Sequence, residues 1–164
     1  MGLINTKSQI TEAVSVITSS YKGKTIEGTV LFIQKDDHVN IKVDIKGLKK
    51  NHQHGFHIHE TGDLREGCKS CCSHYNPTNT DHGDIEEGHA GDLGNITTDD
   101  TGSCKMTFKT NKFGVDEILG RSIIIHEDKD DLGLGEFEDS KTTGHSGARI
   151  ACAIIGISKD GICH

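Results

Sequence analysis

From Gln9 onward, the pattern of apolar and polar residues is that of strands. In "HVNIKVDIKG" Val39, Ile41, Val43 and Ile45 share one face and polar side chains the other, which is the period of a half-buried strand. "TIEGTVLFI", "GNITTD", "SCKMTFKT", "RSIIIHE" and "ARIACAIIGIS" read as further strands bounded by Gly, Asn and Asp. No segment of helical length sustains an apolar period of 3.6 residues. Several short strands with two long polar insertions predict an all-β, antiparallel sandwich or barrel. The insertions run from about Gly62 to Asp92 and from about Glu127 to Gly147. Loops this long in a compact domain are usually functional, and both are predicted to fold over the same end of the sheet structure.

Composition narrows the classes. A chain of 164 residues fits one domain with a single substantial core. With 20 glycines, one proline and no tryptophan, turns must rest mainly on glycine, assisted by Asn and Asp. A net charge of −7 argues against a nucleic-acid partner and against binding to an anionic membrane. No apolar run approaches the roughly 20 residues that span a bilayer. "MGLINTKSQITEAVSVITSS" is polar where a signal peptide needs an apolar core, so a cytoplasmic protein is expected. Met1-Gly2 with Thr6 also fits the minimal N-myristoylation pattern. Six cysteines are many for an intracellular chain, and their spacing matches no zinc ribbon or finger. "CKSCC" reads as free thiols in a loop, with a soft-metal site as the alternative.

The candidate chemistry lies in six histidines and one aspartate: His57, His59, His74, His82, His89, Asp92 and His126. Imidazole is the common ligand of zinc and copper, and a carboxylate serves as a fourth ligand for zinc. Seven such groups make two adjacent four-ligand sites if one histidine serves both metals. His57 and His59, two apart on a strand, project to the same face. His82, His89 and Asp92 form a compact N, N, O set that His74 can complete. His38, His52, His54, His145 and His164 lack such company and are expected at the surface.

"GFHIHETGD", "GCKSCCSHYNP", "GHAGDLGNI", "IIIHEDKDDLG" and "GHSGARIACAIIGIS" together resemble copper,zinc superoxide dismutases, in order, from about Glu12 to Ser158. The resemblance implies an eight-stranded Greek-key barrel or sandwich over residues 11–164, behind an N-terminal extension of residues 1–10. It implies an enzyme that converts two superoxide anions and two protons to dioxygen and hydrogen peroxide by copper redox cycling, with zinc structural. One copper ion per subunit would be held by His57, His59, His74 and His126, and one zinc ion by His74, His82, His89 and Asp92. His74 would then bridge the metals and take part in proton delivery. Asp130 corresponds to a carboxylate that hydrogen-bonds one copper and one zinc histidine, here His57 and His82. Arg149 corresponds to the arginine that orients the anion beside copper, and Thr143 to the residue that narrows the channel. Cys68 and Cys152 correspond to the family's disulfide, the alternative being two buried free thiols. A homodimer through Thr61, Gly62, Leu119, Gly120, Gly156 and Ile157 is implied too, as is copper supply by a chaperone.

The chain departs from the pattern at the channel rim. Thr142 fills a slot that often holds lysine, and the lysine is Lys141 instead. Asp128, followed by Lys129, stands where a lysine is common. The stretch between His82 and His89 is about two residues shorter than usual, and the tail "KDGICH" has no counterpart. A copper-delivery or metal-sequestering protein on the same fold is the competing function. Such domains lose copper ligands or the arginine, and this chain keeps them.

Overall fold

Alternation becomes a sheet face. Val39, Ile41, Val43 and Ile45 are buried, while Lys42 and Asp44 between them and Lys46 after them are exposed. The computed structural model describes residues 9–162. The Gly2 pattern, most of the predicted N-terminal extension, Cys163 and His164 lie outside the described residues.

One sheet contains β1 (Glu12–Tyr21), β2 (Lys24–Gln34), β3 (Val39–Lys46) and β7 (Cys104–Thr110), with the short β10 (Gly156–Ile157) at its edge beside β1. The other contains β4 (Gln53–His59), β6 (Asp92–Thr97), β8 (Ser122–His126) and β9 (Arg149–Ile154), in the order β6-β4-β8-β9. Every ladder is antiparallel. Eight strands have five residues or more; the four-residue β5 (Arg65–Cys68) lies inside the first insertion. The two sheets form separate ladders among the described residues, so the fold is a sandwich and not a closed barrel.

Local chemistry explains the joints. The β1–β2 hairpin turns on Lys22 and Gly23 with φ of 49° and 76°, the two-residue turn that matches strand twist. "ARIACAIIGIS" is not one strand: it changes sheet at Ile155, which is fully buried between β9 and β10. The only helices of α type among the described residues are single turns, α1 (Val115–Ile118) and α2 (Ser140–Thr143). None is long and apolar enough to cross a membrane.

The core lies between the sheets. Phe56 and Ile58 of β4 and Ile123 and Ile125 of β8 belong to it. The pleat therefore sends His57, His59 and His126 to the opposite face of the same strands. That outer face is also dry, because β4 from His54 to His59 and all of β8 are buried. The two insertions cover it. The first is laced to β4 by Ile58 N–H to Gly91 O, Tyr75 N–H to Ile58 O and Glu60 N–H to Ser73 O, each 2.8–2.9 Å. The second returns through Glu127 N–H to Ala148 O and Asp128 N–H to Ser146 O.

Cys68 and Cys152 are joined in a disulfide that ties the first insertion to β9, with their Cα atoms 5.7 Å apart. The link spans 84 residues, and a loop of that size contributes on the order of 4 kcal/mol in the chain-entropy model. Cys152→Ser is therefore expected to lower the stability of the chain by about that amount in denaturant unfolding. A loss under about 1 kcal/mol would show that the loop is held by its backbone lacing alone.

Candidate metal centre

Position on β4 brings His57 and His59 out together, and the isolated bridge between His59 and His74 sets the third imidazole beside them. β-bulges break the ladder between Gly55 and His57 and between Ile125 and His126, where a bulge re-aims side chains. One potential ligand atom from each of His57, His59, His74 and His126 lies within 4.8 Å of the others. The same spacing relates His57, His74, His82 and Asp92. All six residues are buried.

Hydrogen bonds define which ring nitrogen is free. A carbonyl or carboxylate oxygen only accepts, so the nitrogen facing it carries the hydrogen and the other keeps its lone pair. His57 Nε2 donates to Asp130 Oδ2 at 2.6 Å and His82 Nε2 to Asp130 Oδ1 at 2.7 Å. His59 Nδ1 donates to Cys72 O at 2.8 Å and His126 Nδ1 to Gly147 O at 3.1 Å. The nitrogens left over, His57 Nδ1, His59 Nε2, His126 Nε2 and His82 Nδ1, are buried and without a hydrogen-bond partner. His74 Nε2 is in the same condition. Buried polar atoms are normally satisfied, so five unpartnered nitrogens in one place mark a site for a cation.

The carboxylate side has tetrahedral dimensions. His74 Nδ1 lies 3.3 Å from His89 Nδ1 and 2.9 Å from Asp92 Oδ1, and His89 Nδ1 is 3.3 Å from the same oxygen. His82 Nδ1 is 2.9 Å from Asp92 Oδ2, though not aligned as a hydrogen bond. A zinc–nitrogen bond of about 2.0–2.1 Å gives a tetrahedron edge of about 3.3 Å, which these separations fit. His57 has one free nitrogen, whereas His74 presents one nitrogen to each group. The arrangement thus divides into a four-imidazole set and a three-imidazole, one-carboxylate set that share His74.

Electrostatics keep the donors of His57, His59 and His126 available. Burial, and then the neighbouring imidazoles His74 and His126, push the His57 pKa far below its ordinary value. Burial likewise takes His59 to about 2 and His126 to about 3. His82 goes the other way, to about 9, because the carboxylates of Asp130 and Asp92 beside it outweigh burial. At Asp92 burial opposes ionisation, but the adjacent imidazoles of His74, His82 and His89 hold the carboxyl well below the usual range.

A cavity of about 600 Å³ opens onto this set and is lined by His59, His74, His126, Thr143, Lys141 and Arg149 among others. Arg149 is anchored through Nη1 to Cys68 O at 2.8 Å and Nη2 to Cys72 O at 2.6 Å. Thr143 Oγ1 lies 3.2 Å from an Asp139 carboxylate oxygen, and His145 Nδ1 lies 2.7 Å from the other. The cavity wall holds two cations, Lys141 and Arg149, against three acids, Glu60, Asp81 and Asp139.

The structure also corrects and extends the reading of individual residues. His54, expected at the surface, is 1% exposed, with Nδ1 donating to the His126 carbonyl at 2.7 Å. A solitary histidine on a strand gives no sign in sequence of which carbonyl it meets. Lys112, unnoticed in the sequence, donates through Nζ to His89 O at 2.7 Å and to Asp84 O and Gly88 O at 3.3 Å. It clamps the turn between His82 and His89, the segment read as shortened. Gly144, in the left-handed region at φ 70°, lets the second insertion pass against Asp130 and His82, because a Cβ there would collide with both.

The chain matches the family model described as copper/zinc superoxide dismutase over residues 26–155. It is 47% identical over 165 residues to a copper-zinc superoxide dismutase of Paramecium bursaria Chlorella virus 1, covering 97% of this chain and 87% of that protein. It is 48% identical over 142 residues to an extracellular copper-zinc superoxide dismutase of Drosophila melanogaster, covering 80% and 76%. A Candida albicans copper-zinc superoxide dismutase is 44% identical over 155 residues, covering 90% and 99%. The crystal structure of the clock protein EA4 superposes with a TM-score of 0.84 at 36% identity, covering 92% of this chain and 97% of that one.

Lys112→Met keeps the length of the side chain and removes its three donors. It is expected to weaken retention of a divalent ion on the Asp92 side about tenfold, measured by competition with a chromophoric chelator. Unchanged retention would show that the turn keeps its shape without the clamp.

Proposed function

The chain belongs to the copper/zinc superoxide dismutase family, and from that premise we infer that its buried imidazole centre converts superoxide to dioxygen and hydrogen peroxide. It is an oxidoreductase with copper and zinc as its metals. The observation that carries the residue assignment is the set of unpartnered buried nitrogens. We assign copper to His57, His59, His74 and His126, and zinc to His74, His82, His89 and Asp92. Residues 11–164 are proposed as one domain, with residues 1–10 an extension. A copper-delivery role finds no support, since Arg149 lines the same cavity as the imidazoles.

When bound, copper supplies one-electron redox chemistry, and zinc, which has none, supplies a fixed charge beside it. The chain's own residues do the remainder. Arg149, held on two carbonyls, keeps N–H groups for an incoming anion and orients it. His74 Nε2 is the atom proposed to hold and release the proton that a peroxide product needs. Asp130 fixes the tautomers of His57 and His82, so that each presents Nδ1. The covering insertions keep the donors out of water.

A homodimer is proposed through the region of Thr61, Gly62, Leu119, Gly120, Gly156 and Ile157; Ile154 and Ile157 being about half exposed supports it. A cytoplasmic location is proposed on the free thiols Cys71, Cys72 and Cys104, which suit a reducing compartment. Copper supply by a chaperone fits donors this deeply buried.

Metal analysis paired with a cyanide-sensitive dismutation assay tests the function. The copper- and zinc-loaded chain is expected to be active, and His126→Ala to be inactive yet folded. Zinc retention without copper after copper loading, and no activity, would refute the assignment. The rim makes a second expectation. With acids outnumbering cations in the cavity wall, the rate is expected to change less than about twofold between roughly 10 and 150 mM salt. A steep fall with salt would mean that Lys141 and Arg149 dominate the local field.

A further inference from the structure

A second cleft opens on the far side of the His126 backbone, at the end of the sandwich where the β1–β2 turn meets the β3–β4 connection. Its volume is about 280 Å³, and Lys22, Lys24, Lys49, Tyr21, Glu127 and His54 line it over an apolar floor that includes Ile26, Leu48 and Ile150. Lys22 is already engaged, with Nζ 2.6 Å from Glu127 Oε1, and Tyr21 Oη donates to Glu127 Oε2 at 2.9 Å. Lys24 and Lys49 make no ion pair among the described residues. The wall therefore carries three lysines against one carboxylate, in a chain whose net charge is −7.

His54 adds direction to that charge. Its residue is 1% exposed and its Nδ1 lies 2.7 Å from the His126 carbonyl, so Nδ1 carries the hydrogen. Its Nε2 is buried and has no partner. A bare lone pair on a residue lining the same cleft as two uncommitted ammonium groups asks for one ligand that donates at one point and is anionic at others. A sulfate-like dianion offers only acceptors. A protonated oxyanion offers both an O–H and charged oxygens.

We propose that this cleft is a binding site for a small protonated oxyanion of the hydrogen phosphate class. Its O–H donates to His54 Nε2, and its anionic oxygens accept from the ammonium groups of Lys24 and Lys49. The site is separate from the metal cavity, with which it shares no lining residue, and it does not depend on the metal assignment.

The test is an NMR titration of the full chain, loaded with copper and zinc and reduced so that it is diamagnetic. Sodium phosphate is added at constant ionic strength, with sodium sulfate as the parallel arm. Saturable shifts are expected at Tyr21, Lys22, Leu48, Lys49 and His54 with a midpoint in the millimolar range or below. Sulfate should bind at least fivefold more weakly. The double substitution Lys24→Gln and Lys49→Gln, both at exposed positions, should weaken phosphate at least tenfold and leave dismutation unchanged. Equal binding of sulfate would overturn the role of His54. Shifts confined to Arg149 and Thr143, no saturable shifts, or an unaltered double variant would each show that the cleft holds only water.

Discussion

Asp130 accepts from His57 Nε2 at 2.6 Å and from His82 Nε2 at 2.7 Å, with its side chain fully withdrawn from water. These two bonds decide which nitrogen each ring turns inward, and they join a strand histidine to a loop histidine. Asp130 is itself held by its backbone N–H on Asn95 Oδ1 and by its carbonyl, which accepts from Asn95 Nδ2. Leu132 N–H donates to Oδ1 as well. In a low-dielectric interior a carboxylate is tolerated only with such partners. The two insertions therefore cannot shift independently: moving either one would leave a buried charge or a buried imidazole unsatisfied.

The rest of the centre follows from covering a sheet face. β4 and β8 bury hydrophobic side chains on one side and imidazoles on the other, and the insertions exclude water from the second side. That exclusion pushes His57, His59 and His126 toward their unprotonated forms, leaving lone pairs for metal and none for solvent. The disulfide, the Lys112 clamp and the backbone lacing to β4 all serve the cover and not the core. The same chain segments thus carry both stability and chemistry, because the insertions are held by the groups they enclose.

Charge is distributed unevenly around this frame. The metal cavity has a wall in which acids outnumber cations, apart from the charge the metals themselves would bring. The cleft on the other side of His126 concentrates lysines around a buried imidazole. His54 connects the two regions through the carbonyl of His126.

Much of the fold was legible in the residues alone. Period-two alternation marked β3, apolar content marked β2 and β8, and Gly, Asn and Asp marked their ends, because pleat and turn are local properties. The ligand-capable residues were legible too, since H-x-H on a strand must present both rings to one face. Other features depend on where distant segments meet. The change of sheet at Ile155, the burial of His54 and the grip of Lys112 on three carbonyls all join residues far apart in the chain. By itself the sequence determined which ligand-capable side chains were available and most of the elements that bear them. Only the tertiary structure decided which nitrogen of each ring stays free, because that depends on the single acceptor packed against the opposite edge of the ring.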